Sequence, residues 1–402
     1  LAKIDKSVLW DKPMYNSAHS FVKREFSSEV PKKARMIQGN HNECTAYQYP
    51  EEYMALSDSL KEPIVVDIRG CKCSFHYAGG MDHNALSDLL THWEYKRGKF
   101  GYYDERDGKN WDATMQQPLL MAEAKVYEML GMRAFEPFLR RSKQVKGVVR
   151  IKDMISVRTV KYLTAWKRLS GDWNTSIGNT LVSMMIVAAT LSELSQDLLP
   201  DTVDALFMGD DYLGMYTYHD TIDPKRLHEE LNRWDSRWGI TPERGLFRDV
   251  FSVTFISLGV WPRHCGGLQF VPQPAKQLRK LFWTVNKQHA DRAEEQGCAN
   301  AIAFWPVYWG FPLMMKFLHL HYRPNIHPKL SVGTYFERMI TKRQRDVNWA
   351  AGMIYKYRIP ITATNFEHSV VSPNHIYFHP VVAEMLRQEG LDPAERHFCL
   401  TK

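Results

Sequence analysis

Three short segments of the 402-residue chain gather carboxylates, amides and hydroxyls beside apolar runs. The first is Asp107-Gly108-Lys109-Asn110-Trp111-Asp112, after the run Phe100 to Tyr103. The second is Ser170-Gly171-Asp172-Trp173-Asn174-Thr175-Ser176-Ile177-Gly178-Asn179-Thr180. The third is Phe207-Met208-Gly209-Asp210-Asp211-Tyr212-Leu213. Taken alone, Gly-Asp-Asp between apolar runs is a hairpin turn, because Gly and Asp tolerate turn dihedrals. Two adjacent Asp nevertheless concentrate negative charge, and hard divalent ions prefer such oxygen ligands. Asp107, at a strand end, supplies a partner carboxylate. Carboxylates so placed can bridge two metal ions about 3.5–4 Å apart. Two such ions would activate an attacking 3′-hydroxyl and stabilise a departing pyrophosphate, which is nucleotidyl transfer. Asp112 lies five residues beyond Asp107 and is better placed for a ribose than for a metal. Gly171 and Gly178 loosen the second segment, while Ser170, Thr175 and Asn179 offer short polar groups for a template backbone and a 2′-hydroxyl.

The elements that must position these residues follow from the apolar pattern. Ile64 to Val66 and Phe100 to Tyr103 read as short strands, and Thr175 to Leu198 as one long helix. Val203 to Met208 and Tyr212 to Tyr218 read as two strands around a tight turn. Asp223 to Trp238 is an amphipathic helix with Leu227, Leu231 and Trp234 on one face and Asp223 as N-cap. Val250 to Leu258 and Leu268 to Val271 read as strands, and the pattern is mainly helical from Lys276 onward. Strands and helices interleave, so the class is mixed α and β.

Composition bounds the reading. With 44% hydrophobic and 24% charged residues, the chain can bury a sizeable core, which excludes disorder, collagen and coiled coil. Six Cys in this length argue against a secreted disulfide framework. The net charge of +7 is mild, but its distribution is not. From Leu139 to Arg168 the chain holds Arg140, Arg141, Lys143, Lys146, Arg150, Lys152, Arg158, Lys161, Lys167 and Arg168, opposed only by Asp153. That segment carries +9 and the rest of the chain −2. Such a stripe is the footprint of a polyphosphate partner, unless it is a solvated face. The most apolar stretch, Ala301 to Met315, is too short for a membrane span and is broken by Pro306, Gly310 and Pro312. No membrane span is expected. Leu1 at the start reads as a piece of a longer protein.

In order and spacing, the three segments resemble motifs A, B and C of viral RNA-dependent RNA polymerases, in the forms D-x4-D, S-G-x3-T-x3-N and G-D-D. The resemblance is to positive-strand RNA viruses, nearest the tombusvirus-like and nodavirus-like kinds. Phe21 to Glu25 and Lys32 to Ile37 resemble motif F, in which basic residues line the nucleotide channel. On that resemblance Lys23, Lys33 and above all Arg35 grip the triphosphate, since a guanidinium binds phosphate oxygens bidentately. Phe255-Ile256-Ser257 with Leu268 to Pro272 and the run Lys276 to Lys280 resembles motif E. Asp223 to Gly239 takes the place of motif D, where a lysine often protonates pyrophosphate. Arg237 and Arg244 are poor acids for that role.

The resemblance implies an α+β right-hand polymerase with an antiparallel palm sheet flanked by helices. It implies fingers over 1–98, palm over 99–125, a basic fingers segment over 126–168, palm again over 169–285, and a helical thumb with a C-terminal segment over 286–402. Asp107, Asp210 and Asp211 are the expected catalytic and metal-binding residues, with Mg²⁺ or Mn²⁺. Asp112, Ser170, Thr175, Asn179, Arg35, Lys33 and Lys23 are the expected nucleotide-binding residues. The implied partners are RNA template and product, ribonucleoside triphosphates, and other replicase regions or subunits. The implied setting is the host cytoplasm, in membrane-associated replication complexes.

Rival readings are a reverse transcriptase and a catalytically weak RNA-binding replicase subunit. Gly209, where reverse transcriptases usually carry Met, and Asn179 argue against the first; the presence of all three Asp argues against the second. Cys71-Lys72-Cys73 with His76 is a weak zinc signal without a second pair. Trp93, Trp111, Trp166 and Trp173 could stack on bases, but core packing is their default.

Overall fold

The computed structural model describes residues 16–22, 36–40, 48–108, 110–152, 156–262 and 267–278, together with Tyr308, Met314, Phe317 and Leu320. Lys23, Lys33 and Arg35 lie outside the described residues, as does the stretch 286–402 apart from those four positions. In chain order the elements are β1 (Ser17–Val22), β2 (Met36–Asn40), α1 (Pro50–Ser59), β3 (Ile64–Ile68), β4 (Cys71–Tyr77), α2 (His83–Lys96), β5 (Tyr102–Gly108), α3 (Trp111–Thr114), α4 (Gln117–Met129), α5 (Phe135–Lys143), β6 (Val145–Lys152), β7 (Val157–Thr164), α6 (Thr175–Glu193), β8 (Thr202–Met208), β9 (Asp211–Thr217), α7 (Pro224–Arg237), β10 (Pro242–Phe247), β11 (Thr254–Phe255), β12 (Leu258–Pro262), β13 (Leu268–Pro272) and α8 (Pro274–Leu278). The class is mixed α and β. The described residues fall into two units. The first runs to Met81 and from Trp93 to Ile256, and the second holds Asp82–His92 and the residues from Ser257 on.

The first unit is built on a six-stranded sheet ordered β10-β5-β9-β8-β4-β3. The expected antiparallel sheet needs one correction, since β4 and β8 run parallel, Cys73 opposite Val203. More than a hundred residues separate those two strands, ample for the crossover a parallel pair requires. Along β4, Cys71, Cys73, Phe75 and Tyr77 are buried and the residues between them are not, the alternation of a strand with one face on a core. That core includes Val203, Ala205 and Phe207 of β8, Tyr212 and Tyr216 of β9, Leu181, Val182 and Ile186 of α6, and Leu227 and Leu231 of α7. Helices therefore cover one face of the sheet.

Helix α6 is long and apolar enough to cross a membrane by composition, but 67% of that window is buried inside the protein, as for a core helix. Helix α7 starts as expected: the Asp223 carboxylate accepts from the Lys225 N–H (2.9 Å), and Pro224 occupies the first turn. The predicted strand from Val250 to Leu258 is broken. Asp249 caps a 3-10 turn over Val250–Ser252, accepting from the Phe251 N–H (3.0 Å). Ile256 and Ser257 then turn the chain at φ 45° and 65°, so only Thr254–Phe255 remains a strand before β12.

A second sheet in this unit has the order β2-β1-β6-β7. Its four strands contain no Asp or Glu, yet hold Lys146, Arg150, Lys152, Arg158 and Lys161. Val148 lies opposite Lys161 on β7 and His19 on β1, so Lys146, Arg150, Lys161, His19 and Phe21 share one face. The basic stripe is therefore a helix end and a hairpin rather than one surface.

In the second unit, β12 and β13 pair antiparallel, Val260 opposite Phe270. The Leu268 N–H donates to the Thr91 hydroxyl (2.9 Å), and the Phe270 N–H to that of Ser87 (3.1 Å).

Candidate active site

Strand register places the three predicted aspartates at one edge of the six-stranded sheet, with Asp210 and Asp211 lining the cleft there and Asp107 on the neighbouring strand outside its lining. β5 pairs antiparallel with β9, ending with Arg106 opposite Tyr212. The next positions along both strands are Asp107 and Asp211. β8 and β9 form a hairpin closed by Met208 opposite Asp211, with Gly209 and Asp210 at the turn. Gly209 sits at φ 68°, a conformation that glycine adopts freely. Strand alternation then puts Asp107 and Asp211 on one face, away from the helix-covered core. The Asp107 side chain is exposed, and no hydrogen bond or ion pair with another described residue ties it down. Across the other edge of β5, Glu243 of β10 lies directly opposite Asp107. Sequence reasoning missed Glu243, because nothing in Pro-Glu-Arg-Gly-Leu-Phe announces a strand.

The turn is anchored from the second motif. The Gly209 N–H donates to the Thr180 hydroxyl (2.8 Å), which itself donates to the Ser176 carbonyl (2.9 Å). Thr180 is fully buried. It therefore fixes the third segment against the helix of the second.

Beside the turn opens a cleft of about 780 Å³ whose walls include Ser170, Trp173, Thr175, Asn179, Asp210, Asp211 and Ile256. The structure thus brings the second and third segments together. Asp112 joins them through Asn179, whose side-chain amide donates to the Asp112 carboxylate (3.2 Å). The Asn179 carbonyl oxygen accepts from Arg168 Nε (2.8 Å). Arg168 pairs with Glu123, which also accepts from the Tyr127 hydroxyl (2.5 Å) and the Asn174 amide (2.8 Å). Burial opposes a charge on Arg168, but the Glu123 carboxylate holds the guanidinium protonated, its pKa pushed above the usual arginine range. Gly178 is required here, because a Cβ would collide with that carboxylate.

Ser170 and Thr175 are committed to the loop itself. The Gln38 N–H of β2 donates to the Ser170 hydroxyl (3.1 Å). Thr175 donates to the carbonyls of Leu169 (2.7 Å) and Asp172 (2.9 Å). A Cβ on Gly171 would strike the Gln38 carbonyl, so glycine permits this docking.

Three of the ten stripe cations face inward, which corrects the reading of a uniform basic surface. Besides Arg168, Arg141 is buried against Asp172 (3.0 Å) and Lys167 donates to the carbonyls of Ala113 (2.7 Å) and Met115 (3.0 Å). Trp173 corrects another expectation: Trp93 and Trp111 are core residues, whereas Trp173 is 44% exposed.

Behind Asp107 lies a buried ion cluster. Arg106 pairs with Asp235 (3.3 Å), and Arg244 bridges Asp104 and Asp235 (2.5 Å each), with all four side chains at most 2% exposed. Burial would raise the Asp235 carboxyl, but Arg106 and Arg244 hold it below the usual carboxylate range. Burial pushes Asp104 upward in spite of Arg244 and the Tyr216 hydroxyl. Arg244 is thus enclosed in this cluster, and Arg237 lies over the Trp234 ring at 5.1 Å.

Among the described residues no three His, Cys, Asp or Glu side chains converge as a finished metal site. Cys71 and Cys73 are free and buried, their sulfurs 3.6 Å apart. The donor set at the sheet edge still fits hard divalent cations. Asp107, Asp210 and Asp211 are carboxylates, the oxygen donors that such ions prefer, and Asp107 is exposed.

Comparison with curated proteins gives no match. Residues 101–241, which run from β5 through α7 and include all three segments, match the family model described as viral RNA dependent RNA polymerase. Over that span the chain is similar to viral RNA-dependent RNA polymerases, and its activity is that of an RNA-directed RNA polymerase, a nucleotidyltransferase.

Proposed function

We propose that the chain extends RNA strands on an RNA template at the edge where β5, β8 and β9 end, in the service of viral genome replication. The observation that carries this reading is the register that sets Asp107 beside Asp211, together with the cleft that Asp210 and Asp211 share with the Ser-Gly loop. Asp107, Asp210 and Asp211 are the residues that would hold Mg²⁺ or Mn²⁺. Such ions, when bound, lower the cost of forming an alkoxide and of releasing pyrophosphate. The chain's own residues hold the substrate. Asn179, oriented by Arg168, and Asp112 present the polar pair that recognises a ribose 2′-hydroxyl, with Ser170 at the loop mouth. Lys23, Lys33 and Arg35 hold the triphosphate.

In this reading the six-stranded sheet is the palm, the β2-β1-β6-β7 sheet belongs to the fingers and guides template, and the thumb lies in 286–402. The protein works with other replicase components in membrane-associated complexes of the host cytoplasm.

The test is incorporation of labelled ribonucleotides on a single-stranded RNA template with Mg²⁺ or Mn²⁺, run beside Asp210→Ala. Removing a charge-stabilising group of this kind costs roughly 10²-fold or more. Template-dependent product that drops to that extent, with circular dichroism unchanged, supports the reading. An Asp210→Ala protein as active as the wild type overturns it.

A further inference from the structure

Trp173 is the one exposed tryptophan among the described residues. Its indole lines the cleft that also holds Asp210, Asp211 and Asn179, and no ring or cation among the described residues packs on it. The surroundings nevertheless hold its backbone firmly. The Trp173 N–H donates to the Gln48 side-chain oxygen (3.2 Å). Gln48, only 6% exposed, donates in turn to the Asp172 carboxylate (3.3 Å). Asp172 is locked by Arg141 (3.0 Å), whose side chain is 4% exposed. A buried Gln48 thus holds the Trp173 backbone and is itself braced, through the half-buried Asp172, by the buried Arg141, while the large apolar side chain is left in solvent.

We propose that Trp173 is a stacking platform for a nucleobase at the mouth of the cleft, an inference that rests on the RNA-polymerase reading of the same site. An aromatic face accepts any base, because every base has a π-face and stacking needs no hydrogen-bond code. That suits an enzyme copying arbitrary sequence. The neighbouring charges are compatible with a nucleotide, because α6 begins at Thr175 with no acidic residue in its first turn, and its amino end favours a nearby phosphate. The acid next to Trp173, Asp172, is already paired with Arg141.

The base can come from an RNA strand or from a free nucleotide, and equilibrium binding separates the two without any synthesis. The full chain, as wild type, Trp173→Ala and Trp173→Phe, is titrated in EDTA with an oligoadenylate, with ATP, and with a ribose-phosphate oligomer of equal length lacking bases. The proposal expects Trp173→Ala to weaken binding of the oligoadenylate, or of ATP, by roughly 5-fold or more. Trp173→Phe should stay within about 2-fold of wild type, since a phenyl ring retains a stacking face. Loss on the oligoadenylate assigns the base to a strand, and loss on ATP alone assigns it to the incoming nucleotide. Unchanged binding of both, or an equal loss on the base-free oligomer, overturns the proposal. A wild type that binds but synthesises nothing would count against the polymerase reading alone.

Discussion

At the scale of single residues, the Gly-Asp-Asp turn depends on one hydroxyl from another segment. Thr180 offers the Gly209 N–H its partner inside a dry core. Thr180→Val keeps the shape and leaves that N–H unsatisfied, a loss of ~1–3 kcal/mol. If the turn relaxes by that much when substrate is bound, kcat falls roughly 10-fold or more, at about tenfold per 1.4 kcal/mol. Thr180→Ser should restore most of the activity, because the acceptor returns. The readouts are kcat and the half-saturating Mg²⁺ concentration; a Val variant unchanged in both would show that Thr180 does not position the turn. The order and spacing of the three segments singled out Asp107, Asp112, Asn179, Asp210 and Asp211, and the fold brings Asn179, Asp210 and Asp211 to one cleft with Asp112 bonded to Asn179. Thr180 and Glu243 were not legible, because their places exist only once strands and helix have met.

At the scale of elements, the sequence pattern predicted those that bury a clear apolar face. The long helix, the hairpin around Gly209 and the capped helix after Asp223 lie where periodicity put them. β5 was only partly legible, as Tyr102 to Gly108 contains Asp104, Glu105, Arg106 and Asp107, a run that reads as surface. Two of these charges, Asp104 and Arg106, are buried because they are mutually satisfied, completing the cluster with Asp235 and Arg244. Removing one member strands the others, so Asp235→Ala, which leaves two guanidinium groups short of a partner, should destabilise the first unit by ~3–5 kcal/mol. Urea denaturation of the full chain followed by circular dichroism measures this, and a loss below about 1 kcal/mol would mean that water enters to replace the carboxylate. The same hidden pairing explains the stripe. Arg141 and Arg168 count as surface charge in the sequence, yet they hold the loop of the second motif from within.

At the scale of the molecule, seven cations of the stripe remain, and Lys146, Arg150 and Lys161 among them share one face of an acid-free sheet. If it guides single-stranded RNA, replacing all three by Gln should lower the slope of log K against log salt by about 2, at roughly 0.7 per phosphate contact. Anisotropy titrations of a labelled RNA across a salt series give that slope, and an unaltered slope would place the RNA elsewhere. Chain order gives the six-stranded sheet one more property. β5 is flanked by β9 and β10, both made long after it, while β4 waits for β8. On the ribosome, Asp107 therefore emerges without neighbours, and Asp104 and Arg106 without the Arg and Asp that permit their burial. Closing such a sheet is a late, long-range event. A nascent chain stopped short of Asp211 lacks β9, the strand on which β5 is aligned, so the register that sets Asp107 beside Asp211 forms only after the Gly-Asp-Asp turn has been made.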